Sequence, residues 1–78
     1  MSKTRQVLKD VAKSRLEVEL TDEIIDSGTQ FKDIGVDSLE AIELIVELED
    51  ALDIELSDTR LDDVECIKDL ADYLAEFD

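Results

Sequence analysis

The spacing of the apolar residues is the feature that most limits the fold of this chain. Leucine, isoleucine, valine and alanine recur with the period of an α-helix in three stretches. No segment alternates apolar and polar residues over the length of a β-strand. The pattern therefore predicts an all-α fold, with helices over about 3–16, 38–52 and 66–76 and with Ser2 or Thr4 capping the first.

The segments between these helices differ in length and composition. Both glycines, Gly28 and Gly35, fall within 17–37, which has the composition of a long loop. A short turn of helix is expected at about 58–64, where Leu61 and Val64 would hold it against the core. The chain is therefore predicted to form one domain, 1–78, built as a small bundle of three main helices plus one short helix.

The charge balance restricts the partners that the chain can bind. The sequence has 23 acidic and 8 basic residues, giving a net charge of -15. Such a surface repels the phosphates of nucleic acids and of anionic membranes, and it favours encounter with a basic protein. Because no apolar run is long enough to span a bilayer, we expect neither membrane insertion nor nucleic-acid binding.

The residue types present also restrict the chemistry. The chain has no histidine, so it lacks the commonest general base and the commonest zinc ligand, and we expect no catalytic residue and no metal site. Cys66 is the single cysteine, so no internal disulfide can form. The first residues lack the apolar stretch of a signal peptide, and a cytoplasmic protein is expected.

The helix predicted over 38–52 has apolar residues on two sides. On a helical wheel the core face consists of Ala41, Leu44, Ile45, Leu48 and Leu52. Leu39 and Val46 fall on the opposite side among carboxylates, and Ile42 lies between the two faces. Exposed leucines are common on protein surfaces and need no special role. The alternative is a docking strip, in which apolar anchors enter a partner's groove and the carboxylates meet its basic side chains.

Ser38 stands at the predicted start of this helix. Asp37 can cap the helix, and Glu40 follows three residues later, as in a capping box. Helix N-termini accommodate phosphate groups, because their first N–H groups are unpaired and the helix dipole is positive there. As a catalytic nucleophile Ser38 would need a base, and no histidine can serve. A serine that only caps the helix and a serine that carries a phosphate group both remain open from these residues alone.

The run Gly35-Val36-Asp37-Ser38-Leu39-Glu40 resembles the attachment motif of acyl carrier proteins, Gly-x-Asp-Ser-Leu followed by an acidic residue. The resemblance covers nearly the whole chain, through 31–34, 41–49, 54–58 and 67–74. The chain departs from the family at Ser57, where proline is frequent, and at Arg60, which is basic in a stretch that is usually acidic.

The resemblance implies that Ser38, between Asp37 and Leu39 of the cofactor-binding motif, carries 4′-phosphopantetheine transferred from coenzyme A by a phosphopantetheinyl transferase. A monomeric carrier would then hold acyl groups as thioesters and deliver them to enzymes of fatty-acid or polyketide-type biosynthesis that have basic docking patches. The implied partner-binding residues are Leu39, Glu40, Glu43, Val46, Glu49 and Asp50. The residues expected to line an acyl-chain pocket are Ile42, Ile45, Leu61, Val64 and Ile67.

Other functions are compatible with parts of the same pattern. An aminoacyl or D-alanyl carrier protein would use the same arm, and a non-modified acidic docking adaptor would use only the helix surface. A calcium-binding helical protein would need an EF-hand loop. The segment 26–31 does not supply the ligand spacing of such a loop.

Overall fold

The computed structural model describes residues 3–78, and within that range the protein is all-α, as predicted. Five α-helices and one short 3₁₀ helix follow one another along the chain. They are α1 (Lys3–Leu16), α2 (Asp22–Asp26), the 3₁₀ helix (Phe31–Ile34), α3 (Ser38–Leu52), α4 (Asp58–Leu61) and α5 (Ile67–Ala75). Among the described residues the only β-type pairing is an isolated bridge between Gln30 and Cys66.

The core lies where α1 packs against both α3 and α5. Its largest fully buried side chains are Leu8, Ile25, Leu44, Leu48, Ile67, Leu70 and Leu74. On α3 the predicted core face is confirmed at four of its five residues: Leu44 and Leu48 are buried, and Ile45 and Leu52 pack against the same cluster from its edge. The fifth, Ala41, is half-buried and is not part of this cluster. Burying side chains of this size removes roughly 1.5–3 kcal/mol of unfavourable hydration each, which is the main force that holds the bundle together.

The connection between α1 and α3, predicted as a loop over 17–37, contains two short helices. Thr21 starts α2, because its Oγ1 accepts the N–H of Ile24 at 3.2 Å, and Ile25 anchors that helix in the core. Gly35 ends the 3₁₀ helix in the left-handed conformation, with φ of 78°. A five-residue helix has too few turns to produce an apolar period, so the sequence pattern does not reveal it.

Two smaller expectations differ from the structure at helix ends. Thr4 is buried inside α1 and so does not cap it, and Ser2 lies outside the described residues. The helix expected at about 58–64 ends at Leu61; Asp62 and Asp63 form a turn, and Val64 is outside any helix.

Ion pairs hold α2 against α1. Asp22 accepts from Lys9 at 2.8 Å and from Arg5 at 3.3 Å, and Arg5 also contacts Asp26 at 3.1 Å. These contacts lower the pKa of the Asp22 carboxyl, chiefly through the hydrogen bond from Lys9 and then through that from Arg5. Because α2 is short, these contacts supplement the burial of Ile25 in fixing its position.

Replacing Asp22 by asparagine should therefore reduce stability in a pH-dependent way. The folded-state pKa of Asp22 lies below that of the unfolded chain, so its contribution is present at neutral pH and is lost as the pH falls through the folded-state pKa. We expect Asp22→Asn to lower the urea midpoint at pH 7. The difference from the unchanged protein should vanish well below the ordinary aspartate pKa of about 3.9.

Circular dichroism during urea unfolding between neutral and acidic pH tests this expectation. The matched control is Glu23→Gln, which removes the same charge from α2 at an exposed position that forms no ion pair among residues 3–78. Equal midpoints for the two variants at pH 7 would show that the Asp22 ion pairs contribute nothing.

The start of α3 is fixed by the capping box predicted from the sequence. The N–H of Glu40 donates to Oδ1 of Asp37 at 2.8 Å, and the N–H of Asp37 donates to Oε1 of Glu40 at 3.5 Å. At the other end Asp53 adopts the left-handed conformation, with φ of 53°, and stops the helix. The carboxylate of Glu49 then accepts the N–H of Leu56 at 3.0 Å, which ties down the segment leading to α4.

Asp37→Ala should lower the free energy of unfolding by about 1 kcal/mol, because it leaves the first turn of α3 without its side-chain acceptor. Asp37→Asn is the control, since asparagine removes the same negative charge and still caps a helix. Urea unfolding followed by circular dichroism measures both variants. An alanine variant as stable as the asparagine variant would mean that the cap is unimportant.

Candidate functional site

Ser38 is the first residue of α3 and is exposed. The residue two positions before it, Val36, is buried, and its N–H donates to the carbonyl of Phe31 at 2.9 Å. The chain is thus anchored in the protein at Val36, and the helix begins directly afterwards at the capping residue Asp37. This geometry places Ser38 on the surface at a fixed position, within the helix turn whose N–H groups have the fewest intrahelical partners.

A cleft of about 780 Å³ opens beside Ser38. Its apolar walls are formed by Phe31, Val36, Ala41, Ile42, Ile45, Leu61 and Val64. Polar residues complete the lining, namely Gln30, Lys32, Asp37, Ser38, Asp62 and Glu65. The cleft therefore joins the hydroxyl-bearing residue to an apolar groove between α3 and the segment that contains α4.

Four of the five residues expected in an acyl-chain pocket lie along this cleft: Ile42, Ile45, Leu61 and Val64. Ile67 does not, because it is fully buried in the core at the start of α5. An apolar residue at this position of the helical pattern can lie either in the core or in a pocket, so the sequence does not distinguish the two. Phe31, Val36 and Ala41 also line the cleft, although none of them was expected there and Ala41 was expected on the core face of its helix.

The outer face of α3 carries three exposed apolar side chains. Leu39, Ile42 and Val46 have exposed fractions of 64%, 58% and 55%. We call these three residues the apolar strip. Glu43 and Asp50, also on α3, are exposed as well. Ile42 thus belongs both to the apolar strip and to the cleft. This agrees with its position on the helical wheel, between the core face and the outer face.

The acidic residues expected to bind partners differ in what they contact. Glu49 is half-buried, and its carboxylate accepts the N–H of Leu56, while the Glu40 carboxylate completes the capping box. A further acid of α3, Glu47, pairs with Arg15 at 3.0 Å. Helical periodicity places a side chain on a face of its helix, but it does not show these contacts with residues of other segments.

Residues 3–78 contain neither a cluster of metal ligands nor a membrane-spanning helix. No cluster of cysteine, aspartate and glutamate side chains there could hold a metal ion. No helix in the same range is long and apolar enough to cross a membrane. Cys66 is half-buried at the start of α5 and free of disulfide bonds.

Comparison with known proteins identifies the domain that contains this site. The family model described as "Phosphopantetheine attachment site" matches residues 6–74. The acyl carrier protein of Zymomonas mobilis subsp. mobilis is 30% identical over 76 residues, which cover 97% of this chain and 96% of that protein. That of Clostridium perfringens (strain SM101 / Type A) is 35% identical over 69 residues, covering 88% of this chain and 90% of the relative.

Other relatives match a shorter part of their length. The mitochondrial acyl carrier protein of Saccharomyces cerevisiae is 44% identical over 52 residues, which cover 65% of this chain and 42% of the yeast protein. The match to the acyl carrier protein of Syntrophobacter fumaroxidans covers 54% of that protein. Together with the family model and the relatives that match almost from end to end, these similarities show that the chain belongs to the acyl carrier protein family, with a domain for phosphopantetheine attachment.

Proposed function

We propose that this protein carries acyl groups as thioesters on a 4′-phosphopantetheine arm attached to Ser38, for enzymes of fatty-acid or polyketide-type biosynthesis. The observation that carries the proposal is the position of Ser38, which is exposed at the start of α3 and lines an apolar cleft. When bound, the arm supplies a terminal thiol, which can hold an acyl group as a thioester.

The residues around Ser38 fit a phosphodiester. The hydroxyl is accessible to a transferase, and the positive end of the α3 dipole favours an anionic group in the first turn. Asp37 is negative, but its Oδ1 already accepts the N–H of Glu40. Lys32, the cation among the cleft-lining residues, adds positive charge on the same side.

The cleft fits an apolar cargo better than a charged one. We assign Ile42, Ile45, Leu61 and Val64 as its principal acyl-contacting residues, with Phe31, Val36 and Ala41 completing the walls. The ammonium of an aminoacyl group would lose hydration against these apolar walls, and the carboxylates that could pair with it, Asp37, Asp62 and Glu65, belong to the polar part of the lining. The composition of the walls therefore favours an acyl carrier over an aminoacyl or D-alanyl carrier.

The apolar strip is the proposed surface for partner enzymes, including the phosphopantetheinyl transferase. Its side chains are more than half exposed, and Glu43 and Asp50 add negative charge on the same helix. Exposed apolar anchors among charges of one sign suit a partner whose apolar groove is bordered by lysine and arginine. Glu40 and Glu49 are secondary members of this surface, because their carboxylates already hold backbone N–H groups.

Intact mass spectrometry tests the attachment site. Incubation with coenzyme A, Mg²⁺ and a transferase of broad specificity should add one phosphopantetheine to the unchanged protein and none to Ser38→Ala. The matched control is Ser57→Ala, since Ser57 is an exposed serine directly before α4, outside the cleft lining, and should not affect loading. No addition to the folded unchanged protein, or undiminished addition to Ser38→Ala, would refute the assignment.

Val46→Ser should weaken docking without reducing stability. Because Val46 is more than half exposed, the substitution removes little buried area from the fold, whereas an interface would lose an apolar anchor. We expect kcat/KM of the transferase toward this variant to fall by about fivefold to tenfold. The melting temperature should stay unchanged.

The control for this measurement is Ala75→Ser, an exposed position on α5. It makes an apolar side chain polar away from the strip. Equal rates for the Val46 variant and the unchanged protein would exclude the strip as the docking surface for that transferase. Equal losses in both variants would point to a general effect of surface polarity.

A further inference from the structure

The cleft wall that contains α4 has little support from the core. α4 is four residues long and contains no buried residue. Leu61 and Val64, which line the cleft, are half-buried and pack only at the edge of the core. An isolated helix of one turn is unstable in water, so other contacts must keep this wall in place.

Tyr73 of α5 supplies two of those contacts. Its side chain is buried, and its Oη accepts the N–H of Ser57, the residue before α4, at 2.9 Å. The guanidinium carbon of Arg60, within α4, lies over the Tyr73 ring, 4.2 Å from the ring centroid. Tyr73 therefore contacts both the residue before this short helix, Ser57, and its third residue, Arg60.

Glu76 completes the arrangement from the end of α5. Its two carboxylate oxygens accept from the two terminal nitrogens of Arg60, the Nη1 contact measuring 3.3 Å. A paired geometry of this kind fixes the guanidinium more firmly than a single contact does. We call Arg60, Tyr73 and Glu76 the α4 clasp.

The clasp lies outside the cleft whose wall it holds. Arg60, Tyr73 and Glu76 instead line a second hollow of about 190 Å³ between α4 and α5, which shares only Val64 with the cleft. None of the three is among the cleft-lining residues. A substitution at Arg60 can thus alter the position of the wall while leaving the chemistry of the cleft surface unchanged.

We infer that the α4 clasp positions the outer wall of the cleft and thereby determines how well the cleft shelters an apolar chain. The role in sheltering rests on the proposed function, whereas the support of α4 does not. An exposed ion pair alone contributes little, but here the same guanidinium also stacks on a buried aromatic ring. The wall can be in contact with α5 through the clasp or detached from it. Loss of Arg60 should raise the ratio of detached to attached protein by about threefold to tenfold.

Amide hydrogen exchange on the unmodified protein tests the support of α4. In Arg60→Gln the amides of residues 61–64, which donate to carbonyls of 57–61, should exchange about threefold to tenfold faster. Core amides of α3 should be unaffected. The matched control is Arg15→Gln, which makes the same charge change and breaks a different exposed ion pair, with Glu47. Unchanged exchange at 61–64 in the Arg60 variant would overturn the inference.

The consequence for an apolar chain is measured on thioesters. A transferase that accepts acylated coenzyme A would load acetyl- or octanoyl-phosphopantetheine, and intact mass would confirm loading. Hydroxylamine then cleaves the thioester at a rate that depends on its exposure. Arg60→Gln should raise the octanoyl rate relative to the acetyl rate by about threefold to tenfold. An acetyl group is too short to occupy the cleft, so this ratio separates sheltering from general destabilisation.

The outcomes separate the two proposals. An unchanged rate ratio in Arg60→Gln, or an equal increase in Arg15→Gln, would refute the role of the clasp in sheltering. Failure of the unchanged protein to accept any phosphopantetheine would refute the proposed function and the sheltering role with it. The exchange experiment would still decide whether the clasp supports α4.

Discussion

The packing of α3 against α1 is the contact on which the rest of the structure depends. Leu44 and Leu48 point into the core and are fully buried. Because a helix places residues three or four positions apart on one side, fixing these two leucines also fixes every other position of α3. The opposite side must then face solvent, which explains why Leu39 and Val46 are exposed in a protein that has few other large apolar groups on its surface.

The two ends of α3 determine where Ser38 lies and in which direction the chain continues after the helix. The capping box of Asp37 and Glu40 fixes the residue at which the helix begins, and Ser38 is the residue that follows the cap. At the other end, the left-handed turn at Asp53 and the bond from Leu56 to Glu49 direct the chain toward α4. The cleft opens beside the first of these ends, where Asp37 and Ser38 are part of its lining, and its other wall includes Leu61 of α4. Its shape therefore depends on the backbone geometry at the start of α3 as well as on its apolar walls.

The long helices could be predicted from the sequence, and their limits agree with the structure. The ranges expected for the first helix and for the helix of Ser38 coincide with α1 and α3, because each contains several turns with a clear apolar stripe. Periodicity does not detect α2, which depends on the Thr21 cap and on one buried residue, Ile25. Nor does it separate Ile67, buried in the core, from the residues that line the cleft.

Under the proposed function, the position of Ile42 links the docking of a partner enzyme on the apolar strip to the binding of an apolar chain in the cleft. Its side chain is part of the exposed apolar strip and part of the cleft lining. If an enzyme covers the strip while a chain occupies the cleft, both contact the same side chain. Thermodynamic linkage then requires the effect to be reciprocal: whatever factor the cargo imposes on the affinity for the enzyme, the enzyme imposes on the retention of the cargo. Where that factor differs from one, a loaded and an unloaded carrier are distinguishable to a partner that never touches the thioester itself.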